Sequence, residues 1–293
     1  MTLIQIIAGL SITLFWTLCA TLNKKAVLNG NNPYDIAISN AVWMFASVIT
    51  ITFFFWEKEF VPFLNQGYGA IFPAAVSLSK GISIYILTIA FSEISRHSMS
   101  SGVFALTSGL PIGSLIIMYF LKENLSLWDI VSVVLIGGIS FLFFLKGHAR
   151  FLTKKDKFIY LLLIGSVTFN MIADRITGVD QSWAVHLVLS NISWLIISLI
   201  QRQRAEKTKK IKRRSILQKN MMLMSAFYLL TEITFIYAAQ NIFHAVIPAF
   251  IFLRIATPII MLIGAVKFDE GKWYRQLAFG ICVIVPAIMS IVL

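Results

Sequence analysis

Three ionisable side chains lie inside long apolar stretches of the sequence, namely Lys80, Glu232 and Arg254. A charge at bilayer depth is costly, so such a residue usually faces a partner, a cavity or a substrate rather than lipid. Arg254 is the strongest candidate for contact with an anion. Its guanidinium stays charged in a low dielectric and can hold a carboxylate through two donors, whereas burial can neutralise an amine such as Lys80.

These charges allow two interpretations. In the first, Glu232 pairs with Lys80 or Arg254 in a buried bridge that fixes helix packing. Two cations against one anion would then leave a net charge of +1, which attracts a carboxylate or a phosphate. In the second, Glu232 binds a substrate amine or carries a proton during a transport cycle. Either way, the combination suits a zwitterion.

Aromatic and amide side chains recur at helical spacing around the three charges. Aromatic rings in a membrane protein can stack on a substrate ring or face a cationic group, but they also serve as packing or as interfacial anchors. The predicted substrate-binding residues are Arg254, Lys80, Glu232, Trp16, Tyr228, Asn170 and Tyr85.

The composition of the whole chain places these residues in a membrane. Of 293 residues, 58% are apolar and 13% are charged, and the mean hydropathy of +0.82 excludes an ordinary soluble protein. A helix needs about 20 apolar residues to cross a bilayer. Such stretches predict an all-α integral membrane protein with ten transmembrane helices, near 3–22, 34–56, 69–92, 98–121, 126–145, 157–175, 182–200, 219–239, 243–266 and 273–292.

The sequence repeats a motif at an offset of about half its length. Pro111 lies inside a predicted span that ends at Glu123, and Pro258 and Glu270 repeat this arrangement 147 residues later. Five spans are an odd number, so two repeats would cross the membrane in opposite senses. The prediction is two inverted five-helix repeats, at 1–147 and 148–293. Pro111 and Pro258 are the predicted hinges.

Several smaller features receive interpretations of their own. The Gly109-xxx-Gly113 spacing predicts a close approach of two helices. Each repeat glutamate, Glu123 and Glu270, is expected to cap the helix that follows it at the water interface. Asp174 and Arg175 end the sixth predicted span and are interpreted as an interfacial pair.

These motifs resemble the drug/metabolite transporter superfamily, in its ten-helix EamA-like branch. The resemblance covers essentially the whole chain. It implies transport of small metabolites through a central cavity lined by helices 1, 3, 4, 6, 8 and 9, commonly as export driven by a proton or by the substrate gradient. The residues that carry it are Trp16, Lys24, Pro33, Ala90, the Pro111–Glu123 and Pro258–Glu270 pairs, Gly137, Gly138 and Gly280.

The chain also departs from that family. Thr17 follows Trp16 where the family often has glycine, and Asn40 stands where many members have a basic residue. Small members of the superfamily carry a membrane-embedded glutamate in their first helix. The first predicted span of this chain has no acid at all, which argues against exchange of cationic drugs for protons.

Basic residues predict the orientation in the membrane. Twenty of the 25 Lys and Arg residues fall in connections after odd-numbered spans, and only Lys58, Lys122 and Arg175 fall after even-numbered ones. The positive-inside rule places the odd connections, including the basic stretch 201–220, in the cytoplasm and both termini outside. The family resemblance implies the reverse orientation.

The leading prediction is a secondary-active transporter of the inner membrane, multi-pass and monomeric or weakly dimeric. Its substrate would be a small anionic or zwitterionic metabolite, such as an amino acid or a derivative, with protons as a candidate coupling ion. The alternatives are a carrier of a nucleotide-like or adenosyl-bearing metabolite and, from another class, a multispan membrane enzyme. The four histidines have no metal-ligand spacing, so the sequence predicts no metal, no cofactor, no nucleic-acid partner and no enzymatic activity.

Overall fold

The computed structural model describes residues 2–123, 126–147, 153–208 and 219–292. Within these ranges the regular elements are helices, joined by short connections. The long helices are α1 (Leu3–Leu28), α2 (Pro33–Phe55), α3 (Ile71–His97), α4 (Met99–Phe120, interrupted at Gly109), α5 (Leu127–Gly147), α6 (Lys154–Ala173), α7 (Trp183–Lys207), α8 (Lys219–Ala238), α9 (Val246–Lys267) and α10 (Trp273–Val292).

The chain is an all-α, multi-pass membrane protein. Eight helical segments of its described part are long and apolar enough to cross a bilayer. The parts of α5 and α10 whose side chains the structure describes include the apolar segments Leu127–Ser140 and Leu277–Pro286. The eight long segments are Leu3–Leu28, Pro33–Leu64, Gly67–His97, Met99–Phe120, Lys155–Val179, Trp183–Lys207, Lys219–Phe243 and Val246–Lys267.

Side-chain caps define where several helices begin. In each case a Ser, Thr or Asn accepts a hydrogen bond from the backbone N–H three residues later, which satisfies one of the free donors of the first turn. The caps are Thr2 for α1, Asn32 for α2, Ser98 for α4, Thr153 for α6 and Ser182 for α7. The predicted span starts are therefore correct to within a few residues.

Three helices extend beyond the predicted spans through π-helical turns. Trp56–Phe60 follows α2, Asp174–Val179 follows α6 and Ala239–Phe243 follows α8. The second of these extensions matters most, because it carries Asp174 into the protein interior instead of ending the helix at the interface.

The helices pack in a regular pattern of pairs. Helix α1 lies against α8 and α9, and α3 lies against α6 and α7. Helices α5 and α10 contact each other, and they pack against α4 and α9 respectively. The central space is bordered by α1, α3, α4, α6, α8 and α9.

The Gly109-xxx-Gly113 spacing lies at a close helix contact, as predicted. A Cβ on Gly109 would lie 3.1 Å from the carbonyl oxygen of Ile164, and one on Gly113 would lie 2.7 Å from the sulfur of Met171. Both contacts are to α6, so the glycines let α4 approach that helix closely.

Each repeat proline is contacted by a glycine of the following helix. A Cβ on Gly137 would overlap Cγ of Pro111, and one on Gly280 would lie 2.5 Å from Cβ of Pro258. The two proline-bearing helices are therefore supported at the positions predicted to be hinges. Whether they bend during a functional cycle stays a prediction.

Replacing Gly137 with alanine should destabilise the protein. The new methyl group would overlap the Pro111 ring, and such overpacking costs about 1–3 kcal/mol. The adjacent Gly138 supplies a matched control, since nothing lies within 4 Å of the position that a Cβ would take there. Thermal unfolding in detergent should show a lower Tm for Gly137→Ala and an unchanged or higher Tm for Gly138→Ala. Equal Tm values would contradict this packing of α5 against Pro111.

Two interpretations fall outside the described residues. Of the basic stretch 201–220, only 201–208 and 219–220 lie among the described residues, and His148 lies outside them. The cytoplasmic placement of that stretch therefore stays a prediction from charge.

Candidate functional site

The candidate site is a cavity of about 60 Å³ among six helices. A water molecule needs about 15 Å³ of such space, so the cavity accommodates a few waters. Six of the seven predicted substrate-binding residues line it, namely Trp16, Lys80, Asn170, Tyr228, Glu232 and Arg254. Tyr85 does not line it, although it is on α3 with Lys80.

Lys80 occupies one wall of the cavity and bridges two carboxylates. Its Nζ lies 2.5 Å from Oδ1 of Asp174 and 3.3 Å from Oε2 of Glu232. The Lys80 and Asp174 side chains are almost fully buried, whereas the Glu232 side chain is 18% exposed. Glu232 is therefore the more exposed of the two acids that line the cavity.

Asp174 also contacts a histidine that the sequence did not associate with the site. Its Oδ1 lies 2.9 Å from Nε2 of His186 on α7. On the other side of the ring, Nδ1 lies 2.8 Å from Oγ of Ser77 and is also in contact with Oγ1 of Thr177. The buried group thus joins α3, the extension of α6, α7 and α8.

Arg254 lies near the middle of α9 and is buried with no ion pair to any described residue. Only 2% of the residue is exposed, and its Nε and Nη1 have no hydrogen-bond partner among the residues that the structure describes. Its guanidinium carbon lies 5.9 Å from the centre of the Phe250 ring, a cation–π contact. Burial of a charge without a partner is expensive, and a guanidinium can hold a carboxylate through two adjacent N–H donors.

The structure corrects two charge predictions. Asp174 and Arg175 do not form an interfacial pair: Asp174 binds Lys80 and His186, while Arg175 binds Glu123 and Asp180. The cavity is also not formally +1. Asp174 adds a second acid, so Lys80 and Arg254 are matched by Asp174 and Glu232.

The matching charges are nevertheless separated in space. Both acids contact Lys80, and among the described residues neither forms an ion pair with Arg254. One wall of the cavity therefore carries an excess of negative charge and another carries the guanidinium. That separation favours a ligand with an anionic end facing α9.

Aromatic side chains complete the lining. Trp16, Tyr228, Phe235 and Phe250 face the same space. Phe235 and Phe250 contact each other edge to face with centroids 4.6 Å apart, and Trp194 on α7 supports Tyr228 from behind, 5.3 Å away. These rings can shape an apolar part of a ligand as well as pack the interior.

Two further polar groups lie at opposite ends of the α4–α9 pair. Glu270 accepts hydrogen bonds from the N–H groups of Met99 and Ser100 at the start of α4, at 2.8 and 3.0 Å, and its carboxylate lies 2.8 Å from Nζ of Lys24. In this way an acid just after α9 caps the beginning of α4.

The second group repeats that arrangement. Glu123 accepts hydrogen bonds from the N–H groups of Val246 and Ile247 at the start of α9, at 3.3 and 3.1 Å. Nε of Arg175 lies 2.9 Å from the Glu123 carboxylate. The expectation that each glutamate caps the helix following it is therefore wrong, because α4 and α9 run antiparallel and each end meets the other's start.

The two caps differ in electrostatic balance. Burial raises the pKa of Glu123 above its ordinary value, because the two N–H groups and Arg175 offset the lost hydration only in part. Burial acts in the same direction on Glu270, but Lys24 and the N–H groups of Met99 and Ser100 outweigh it and hold its pKa below the ordinary value. Arg175 also pairs with Asp180.

Comparison with known proteins leaves the family of this chain open. No protein-family model matches the sequence, and no curated protein matches it significantly. The function is therefore inferred from the cavity and from the charges around it.

Proposed function

We propose that this protein is a secondary-active transporter of the inner membrane that carries a small anionic or zwitterionic metabolite, such as an amino acid or a derivative, by alternating access. The buried guanidinium of Arg254, unpaired among the described residues and set in a cavity between membrane helices, carries this proposal. A protein retains so costly a group where a ligand neutralises it. A carboxylate bound through two donors would do so.

An acid on the opposite wall of the cavity supports a zwitterionic substrate. Glu232 is the partly exposed acid of the cavity, and its contact with Lys80 is longer than that of Asp174. An ammonium group could approach its carboxylate while the substrate carboxylate binds Arg254. The aromatic rings between these poles would then contact the substrate's side chain.

We further propose that ten helices cross the membrane as two inverted repeats, and that the chain is an EamA-like member of the drug/metabolite transporter superfamily. Three features support this. The cavity is bordered by α1, α3, α4, α6, α8 and α9, as that resemblance implies. Exchanging each helix with the one five later preserves the major packing pairs. The two glutamate caps are related by the same exchange.

A thermal-shift screen of the purified protein tests the substrate class. Amino acids and their N-substituted or dicarboxylic derivatives form one set, nucleotides and adenosyl compounds a second, and amines without an acidic group a third. We expect the Tm to rise with members of the first set, and uptake of those compounds into proteoliposomes to follow. A rise confined to the second set would favour the alternative substrate, since aromatic rings also line the cavity. Stabilisation only by the third set would contradict an anion site.

The orientation can be tested without a substrate. Because basic residues concentrate in connections after α1, α3, α5, α7 and α9, we expect both termini on the outer face. A reporter enzyme that is active only outside the cytoplasm, fused after Leu293, should be active. The same reporter inserted within 209–218 is the control and should be inactive. The opposite pair of results would reverse the proposed orientation.

A further inference from the structure

We propose that His186 is a proton-binding site of the cavity, which takes up a proton when an anion neutralises Arg254. The inference rests on the proposed transport function for the anion, but the proton site can be tested on the ligand-free protein. Uptake of a proton by His186 would make the transport of a singly charged anion electrically neutral. The proton would then be the coupling ion.

The first step is the charge on each wall. With both acids ionised, Lys80 charged and His186 neutral, the group formed by Lys80, Asp174, Glu232 and His186 has a formal charge of −1. Arg254 balances it across the cavity when no ligand is present. A carboxylate on Arg254 removes that balance and leaves a net negative charge in a low-dielectric interior, which favours binding of one proton.

The second step is the surroundings of the imidazole, which can serve both of its protonation states. Nε2 donates to Asp174 in either state. When the ring is neutral, Nδ1 can accept from the hydroxyl of Ser77, 2.8 Å away. When it is protonated, Nδ1 can donate to the hydroxyl oxygen of Thr177, whose own hydrogen is used by the carbonyl of Ala173 at 2.7 Å.

The third step is the position of His186 in the bundle. It is 1% exposed and lies behind Asp174 relative to the cavity, so a bound proton is shielded from the ligand while its charge is still felt there. On the elements packed around it, the charged and titratable groups nearest to the imidazole are Lys80 on α3, Asp174 after α6, and Tyr228 and Glu232 on α8. Glu59 after α2 accepts from Ser182, one turn before His186, and Arg175 after α6 is directed to Glu123 and Asp180.

The linkage between the two sites is reciprocal. If anion binding raises the proton affinity of His186, a protonated His186 raises the anion affinity by the same factor. Because the four residues come from four different helical segments, loss of the proton from the loaded protein would leave an unbalanced negative charge at their junction. That imbalance would favour release of the anion.

Substitution of Arg254 imitates the anion-bound state and permits a test without a ligand. In a protein carrying His97→Gln, His148→Gln and His244→Gln, His186 is the only imidazole, and nitrogen NMR of labelled histidine reports its protonation directly. With Arg254→Ala added, we expect the titration midpoint to rise by about one pH unit or more, because a cation has been removed from the same low-dielectric cavity.

A second substitution should reverse that change. Glu232→Gln together with Arg254→Ala leaves Asp174 balanced by Lys80, so the midpoint should return toward that of the parent protein. Arg96→Ala removes an exposed arginine at the end of α3 and is the matched control, with no change expected.

Two results would overturn the proposal. One is a midpoint that Arg254→Ala leaves unchanged. The other is an infrared band of a protonated carboxylic acid in Arg254→Ala while His186 stays neutral between about pH 5 and 8, which would assign the proton to Asp174 or Glu232 instead. Neither result depends on transport. Conversely, if Arg254→Ala transports normally, the proposed function fails while the titration of His186 stands.

Discussion

Arg254→Ala should abolish uptake of the substrate while leaving the fold intact. A carboxylate held by two charge-assisted hydrogen bonds would lose about 3 kcal/mol of binding free energy, which corresponds to a reduction in affinity of about 100-fold. Arg254→Lys keeps the charge but lacks the planar pair of donors, so its uptake should also fall, by a smaller factor. Uptake into proteoliposomes of the compound identified by the thermal-shift screen measures both effects.

The stability of the same variant should change in the opposite direction. Arg254 is buried with two donors unpartnered among the described residues, so its removal relieves the cost of those unmet hydrogen bonds. We expect the ligand-free Tm of Arg254→Ala to equal or exceed that of the parent. Arg96→Ala, which removes an arginine that is 41% exposed, should change neither uptake nor Tm appreciably. Normal uptake by Arg254→Ala would exclude Arg254 as the anion-binding group.

The two glutamate caps should differ sharply in their contribution to stability at neutral pH. Glu270→Gln removes the anion beside the buried Lys24, and breaking a buried ion pair costs about 3 kcal/mol. Glu123→Gln removes a carboxylate whose ionised form is already disfavoured by burial. We therefore expect a clear decrease in Tm at pH 7 for Glu270→Gln and a much smaller change for Glu123→Gln.

The pH dependence of this difference has a defined sign. Because folding lowers the pKa of Glu270, its stabilisation is complete above the unfolded value of about 4.3 and is lost as the pH falls through the folded value. Folding raises the pKa of Glu123, so its contribution is present below the unfolded value and is lost as the pH rises through the folded one. Tm measured from about pH 7 down to about pH 3 should thus differ between Glu270→Gln and the parent above about pH 4.3 and converge below it. Parallel curves would contradict the electrostatic origin of the difference.

The sequence predicted the apolar helices and most of the cavity lining for one physical reason. A charge or amide in an apolar stretch must face protein, and helical periodicity identifies its neighbours on the same face. Lys80, Glu232 and Arg254 consequently line one cavity with Trp16 and Tyr228. Tyr85 was not distinguishable by this reasoning, because an aromatic side chain can face lipid, packing or ligand equally well.

Asp174 and His186 show where the same reasoning fails. Asp174 follows directly after an apolar stretch, and an acid in that place ordinarily marks the water interface. The π-helical extension Asp174–Val179 cannot be anticipated from composition, and it places the carboxylate against Lys80. A histidine on α7 carries no signal of its own until the fold sets Asp174 beside it.

Local sequence also could not predict that Glu123 caps the start of α9 and that Glu270 caps the start of α4. The motif Pro111 to Glu123 and its copy were visible, but their partners lie about half a chain length away. Only the antiparallel arrangement of α4 and α9 brings each glutamate to the start of the other helix. Capping rules, which operate over three or four residues, point to the wrong helix in such a case.

These caps also bear on biogenesis. Glu270 is synthesised 171 residues after Met99, whose N–H it accepts, and at about 5–20 residues per second this delay is roughly 10 to 30 s. During that interval Lys24 and the start of α4 lack the Glu270 carboxylate, and Glu123 lacks the N–H groups at the start of α9. Docking of α9 completes both ends in one event. We therefore expect the ends of α4 and α9 to become stably paired only once that helix has inserted.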